Sequence, residues 1–365
     1  MVKYMAPKYR LPFLLLGMLS LVTGVTTGLA RFGISMPEMV QSASGFHSAF
    51  MISAFFGTLI GLERAVATRY LWAYFAPLCS GLGGLLLLLP TPISFSNHLA
   101  PGLIMLAGAV FTAASTMIVI QQKALFTITL WIAAALWFLG NFLWFLSDNF
   151  WVSIPFGLCF LVFTIAGERL ELTRFMPPRK SATGLFIALL VIMTLGSLRS
   201  GMSSFTDNTL LGLGFAGLAL WLFQFDIARK TIRQTGITRF VACCLLSGYF
   251  WLLIGGLLLT PISPADFNAY QRDAAVHAVA LGFVFSMVIG HAPIIFPAIM
   301  RVAIPFNERM YMPLALLHLG VAIRIMGDLL PNATIRTLGG TLNALALLAF
   351  ILTLLIQVRA GHRKN

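Results

Sequence analysis

The chain has 365 residues, 59% of them hydrophobic and only 10% charged, with a formal net charge of +13. A water-soluble fold of this size cannot enclose so much apolar surface, so a soluble globular enzyme is excluded. The positive balance would suit a nucleic-acid partner only if the charges clustered in a stripe with interleaved aromatics, and they do not.

A bilayer span needs roughly 20 apolar residues. Hydropathy predicts twelve, at about 11–33, 47–67, 70–90, 98–121, 124–146, 150–172, 184–204, 209–228, 240–262, 273–299, 310–330 and 335–358. The first run reads as a retained helix, because no small-residue cleavage site precedes Arg31. Connections are short, so residues 1–365 read as a single transmembrane domain, an all-α polytopic helical bundle.

Nineteen of the 24 basic residues fall at alternate connections, among them Lys8, Arg10, Arg64, Arg69, Lys123, Arg169, Arg229, Lys230, Arg301 and Arg309. The set also includes Lys3, Arg174, Arg179, Arg363 and Lys364. The opposite side holds only Arg31, Arg199, Arg272, Arg324 and Arg336. The positive-inside rule then puts both termini in the cytoplasm of a multi-pass inner (cytoplasmic) membrane protein. Its partner is the lipid bilayer and not nucleic acid. Cys79, Cys159, Cys243 and Cys244 all lie within spans and read as small buried apolar side chains.

His47 opens the second span and His277 the tenth, which this topology places at the same outer surface. An imidazole at membrane depth is costly without a partner, so such histidines are functional candidates. Two at one depth suggest a bis-histidine clamp on haem b, with outward propionates met by Arg272, Arg324, Arg31 and Arg336. The alternative is that each ring reaches the interface and binds nothing. A weak internal echo relates His47–Gly61 to His277–Gly290.

Gly45-Phe46-His47-Ser48-Ala49-Phe50-Met51 and His277-Ala278 through Gly290-His291 resemble features of the NnrS-type haem-containing membrane proteins. The arrangement is distantly similar to the low-spin haem site of haem–copper oxidase subunit I. The resemblance implies a haem b protein of electron transfer or nitric oxide handling, with a quinol or cytochrome as electron partner. Spans six and seven lack the histidines that bind copper in the oxidases, and His291 is followed by Ala292-Pro293 where the NnrS pattern continues Thr-Gly-Arg.

A second cluster lies deeper. His291 and His318 both fall roughly 13–15 Å from the cytoplasmic flank, and fourteen residues at about 100° each bring His291 nearly onto the face of His277. Glu63 and Glu168 share a shallower depth. These four could hold a second haem, or an iron, copper or zinc ion, or form a proton path. Equally, the glutamates could end their helices as interfacial ion pairs. Asp328 is expected to pair with Arg324 four residues earlier. The rival to the haem reading is a secondary transporter or metal-ion permease using this intramembrane His/Glu site.

Overall fold

A computed structural model describes residues 5–89, 96–173, 180–260 and 268–362. Lys3, Arg174, Arg179, Arg363 and Lys364 of the basic flanks lie outside the described residues. The described residues form helices and connections with no strand among them. Twelve long helices follow the predicted spans in order: α1 (Leu11–Ala30), α2 (Ala49–Thr68), α3 (Phe75–Leu88), α4 (Ser96–Gln121), α5 (Leu125–Ser147) and α6 (Ile154–Thr173). They continue with α7 (Lys180–Met202), α8 (Thr209–Phe225), α9 (Gly236–Leu258), α10 (Ala269–Met300), α11 (Tyr311–Leu329) and α12 (Ala333–His362).

Eleven of these are long and apolar enough to cross a bilayer, and the chain is an all-α polytopic membrane protein. The exception is α8, at 17 residues. It ends short of the predicted residue 228 because Asp226 turns extended and its Oδ1 accepts the Ala228 N–H at 2.6 Å.

Contacts divide the chain into two compact units, Met1–Gly167 with Gly201–Phe205 and Glu168–Ser200 with Thr206–Asn365. In the first, Phe111, Trp137 and Phe160 of α4, α5 and α6 form an aromatic core, with Trp137 stacked on Phe160 at 5.0 Å between centroids. In the second, α11 and α12 form a tight hairpin. A Cβ on Gly327 would collide with the Arg336 backbone, and one on Gly339 with the Arg324 backbone. Small residues of this kind are what lets helices approach where lipid removes the hydrophobic drive to pack.

The units share one local device. In α2 the residues Ala49–Phe56 form a π-helix, and in α10 the residues Ala278–Phe285 do the same. Each π segment starts within two residues of a histidine, His47 or His277. The wider π turn is uncommon, and frequent at functional sites. Each segment packs on a helix earlier in the chain that carries glycines seven residues apart. Gly17 and Gly24 of α1 face Thr58 and the Phe50–Met51 pair, while Gly248 and Gly255 of α9 face Met287 and Val279.

Candidate functional site

His47 follows a 3-10 turn, Ala43–Phe46, and precedes the first π segment. Its Nδ1 lies 2.7 Å from the carbonyl oxygen of Gly24 on α1. A carbonyl only accepts, so Nδ1 carries the hydrogen and the lone pair falls on Nε2. The ring rests on Gly28, where an added Cβ would come within 2.8 Å of Cε1. The glycine is thus the seat for this imidazole.

His277 ends the first α-helical part of α10, Ala269–His277, and is 8% exposed. Its Nδ1 donates to the Asp273 carbonyl one turn back, at 2.8 Å, and the lone pair again falls on Nε2. The Asp273 carboxylate lies 3.5 Å from the same nitrogen. That carboxylate is fixed in turn by Arg324 of α11 at 2.9 Å and Arg336 of α12 at 3.4 Å. Arg336 also brings Nε to 2.7 Å from Asp328. Two acids and two arginines therefore stand behind His277, and the carboxylate nearest the ring is held from two neighbouring helices.

The structure thus joins His277 to Arg324 through Asp273. The sequence reading missed Asp273 at this site, though its i, i+4 spacing from His277 was visible, and Arg336, expected to meet a propionate, lies against Asp273 and Asp328. The expected i, i+4 partner of Arg324 is supplemented by a carboxylate from a neighbouring helix, and Asp328 is met by Arg336. Arg272 is half-buried beside Asp273.

The deeper histidines differ from each other. His291 donates Nδ1–H to the Met287 carbonyl at 2.8 Å, the pattern of His47 and His277. At His318 the indole of Trp251 donates to Nδ1 at 2.9 Å. Its proton is therefore on Nε2, which donates to Ser247 Oγ at 2.8 Å, and Ser247 passes its own proton to the Cys243 carbonyl. As arranged, His318 has no lone pair left for a metal. Among the described residues, no group of three or more His, Cys, Asp or Glu side chains is placed to hold an ion.

His291 and His277 do not share a face. Val279, Phe283, Met287 and Gly290 form the stripe of α10 that meets α9. His277 lies two residues before that stripe and His291 one after it. The four-residue steps through the π segment break the uniform 100° advance that the sequence reading assumed.

Glu63 lies in the first unit beside Arg64, half-buried, and Glu168 lies in the second. Next to Glu168, Arg169 makes a buried pair with Asp226, Nε to Oδ2 at 2.8 Å and Nη2 to Oδ1 at 3.1 Å.

The fold and these side chains define a polytopic all-α membrane protein with a histidine at the head of each of two π-bearing helices. The chain belongs to the family described as a domain of unknown function, DUF8744, whose model matches residues 10–359. No curated protein and no solved structure matches it.

Proposed function

We propose that this protein is a haem b-binding membrane protein of electron transfer or nitric oxide handling, with His47 in one unit and His277 in the other as candidate haem ligands. One observation carries the reading. In both units a histidine at the head of a π segment donates Nδ1–H to a backbone carbonyl, which leaves Nε2 as the ligating nitrogen.

Small residues beside both histidines and nearby arginines support the reading. The His47 ring lies on a glycine, and Ala274, Ala275 and Ala278 around His277 are fully buried and small. Arg272 and Arg324 stand beside His277 for anionic propionates, although Arg324 already serves Asp273. Bound haem would supply one-electron chemistry or a seat for nitric oxide. The chain's own residues hold the imidazoles in one tautomer, and the burial of His277 keeps water from that ring. A quinol or a cytochrome is the electron donor, and the setting is the inner membrane with both termini cytoplasmic.

The test is an absorption spectrum of the full-length protein purified from haem-replete cells. A Soret band, with the sharp reduced bands of a six-coordinate low-spin b haem at one haem per chain, is the expected result. Protein free of haem after such a preparation overturns the proposal.

A further inference from the structure

We propose that the second unit holds a binding site for a small neutral molecule carrying a carbonyl oxygen beside an N–H or O–H, the fork of a primary amide or an undissociated carboxylic acid. Arg169, Asp226, Tyr249 and His291 form it, and all four belong to that unit. The inference is independent of the haem reading.

The base of the site is an ion pair. Arg169, near the end of α6, gives Nε and Nη2 to the two carboxylate oxygens of Asp226. Asp226 closes α8, and its Oδ1 also takes the Ala228 N–H. Both side chains are buried, and their formal charges cancel. A charged occupant would bring an uncompensated charge into this place at a large cost, and a neutral one would not.

Two polar atoms beside the pair remain unused. Tyr249 of α9 is fully buried, its ring held by Phe223 and Phe283 at centroid distances of 5.6 and 6.4 Å. Its hydroxyl comes beside Arg169 and Asp226, aligns with neither, and is left without a hydrogen-bond partner. Buried polar groups are nearly always paired, so an orphaned hydroxyl marks a place where a partner belongs. His291 of α10 lies within electrostatic reach of the same arginine and aspartate. Its Nδ1–H goes to the Met287 carbonyl, so Nε2 presents a lone pair, and no donor among the described residues meets it.

The two atoms ask for different things. Nε2 of His291 can only accept, while the Tyr249 hydroxyl has a hydrogen to give. One small molecule answers both when it points an N–H or O–H at His291 and a carbonyl oxygen at Tyr249. The helices that carry the two residues are in close contact, with Gly248 against Met287 and Gly290 against Cys244. Entry is past His291, which is only half-buried. Pro293 and Pro297 follow it and cannot donate to the carbonyls of Ile289 and Pro293, so this end of α10 is less tightly tied than a regular helix.

The experiment is saturation-transfer NMR on the full-length protein in detergent, as wild type, Tyr249→Phe and His291→Leu, with size-exclusion profiles as the check on folding. Acetamide is the probe, at about 1–50 mM, since so small a molecule binds weakly at best. N,N-Dimethylacetamide, which has no N–H, and acetate at about pH 8, where it is ionised, are the comparison arms. Acetamide is expected to give a saturable signal in the wild type. Each variant should bind it roughly tenfold more weakly, the effect of one lost hydrogen bond. Neither comparison compound should match it.

The absence of a saturable acetamide signal in the wild type overturns the inference, and so does unchanged affinity in Tyr249→Phe. Acetate binding as tightly as acetamide would make this an anion site, and dimethylacetamide doing so would remove the donor to His291; either result overturns it too. If His291→Leu aggregates, His291→Phe replaces it, and if both do, Tyr249→Phe decides alone.

Discussion

Arg324 of α11 places a guanidinium nitrogen 2.9 Å from the carboxylate of Asp273 on α10, one turn before His277. Both side chains are nearly buried, so each answers for the other's desolvation. Removing one partner of such a pair costs about 3–5 kcal/mol, because the remaining charge is left uncompensated. Arg324→Ala should therefore lower the thermal stability of the detergent-solubilised protein sharply. Arg324→Ala with Asp273→Ala should cost less than the two single losses added. Additive losses would show that the two groups do not depend on each other.

The Trp251–His318–Ser247 chain makes a different prediction. Trp251→Phe removes the donor to Nδ1 and leaves a buried acceptor unsatisfied, at about 1–3 kcal/mol. Because the two residues share one bond, Trp251→Phe and His318→Ala should be non-additive in unfolding experiments. Metal and haem content should be the same in His318→Ala as in wild type. A loss of bound iron in that variant would return His318 to the ligand set.

A third prediction concerns the seat of His47. Gly28→Ala puts a methyl within 2.8 Å of the ring, so the imidazole must move or the helices must part, at about 1–3 kcal/mol. Gly45→Ala, in open space two residues before His47, is the matched control and should change nothing. The melting temperature should shift in Gly28→Ala and not in Gly45→Ala, and the spectrum of the proposed haem should follow the same pattern.

Arg169 and Asp226 are 3% and 0% exposed in their side chains, and they test how a buried pair is valued. Asp226→Ala should destabilise by about 3–5 kcal/mol, and it also removes the cap on Ala228. Replacing both partners with apolar residues, Arg169→Met with Asp226→Leu, should recover most of that loss. Thermal unfolding of the three variants decides it.

Finally, spans six and seven contain no histidine, so no copper site of the oxidase kind can be built there. The protein should show no sustained, cyanide-sensitive oxygen uptake driven by quinol or cytochrome. Such uptake, measured on an oxygen electrode with pure protein, would refute this.

The helices themselves were legible in the amino-acid sequence, since hydropathy over about 20 residues is a strong signal and all twelve spans recur within a few residues of their predicted ends. His47 and His277 were legible for the same reason: a polar ring at the start of an apolar run stands out. What surrounds them was not. A π segment such as Ala278–Phe285 has the same composition as an α-helix, so its effect on the phase of His291 could not be read from spacing. Ion pairs between helices, such as Arg336 with Asp328, depend on which helices become neighbours. Spacing along one helix suggested Arg324 for Asp328, and helix packing added the stronger claim of Asp273 on Arg324. His318 looked like a ligand because its two hydrogen-bond partners, Trp251 and Ser247, lie 67 and 71 residues away in the chain.

The aspartates at the basic-poor end of the second unit also bear on how a partner would find it. Arg324 and Arg336 face Asp273 and Asp328, and Arg199 lies 2.6 Å from Asp207. Arg199, Arg324 and Arg336 are thus each met by a carboxylate at contact distance, and little positive field extends beyond them. An anion approaching that end of the unit would gain almost nothing from long-range attraction, and its encounter rate should hardly vary with ionic strength. The opposite flank, with Arg229, Lys230, Arg233 and Arg239 within one short stretch, is where salt would matter. The basic residues of the second unit thus fall into two kinds: those met by a carboxylate at contact distance, and those gathered in one short stretch whose field salt would screen.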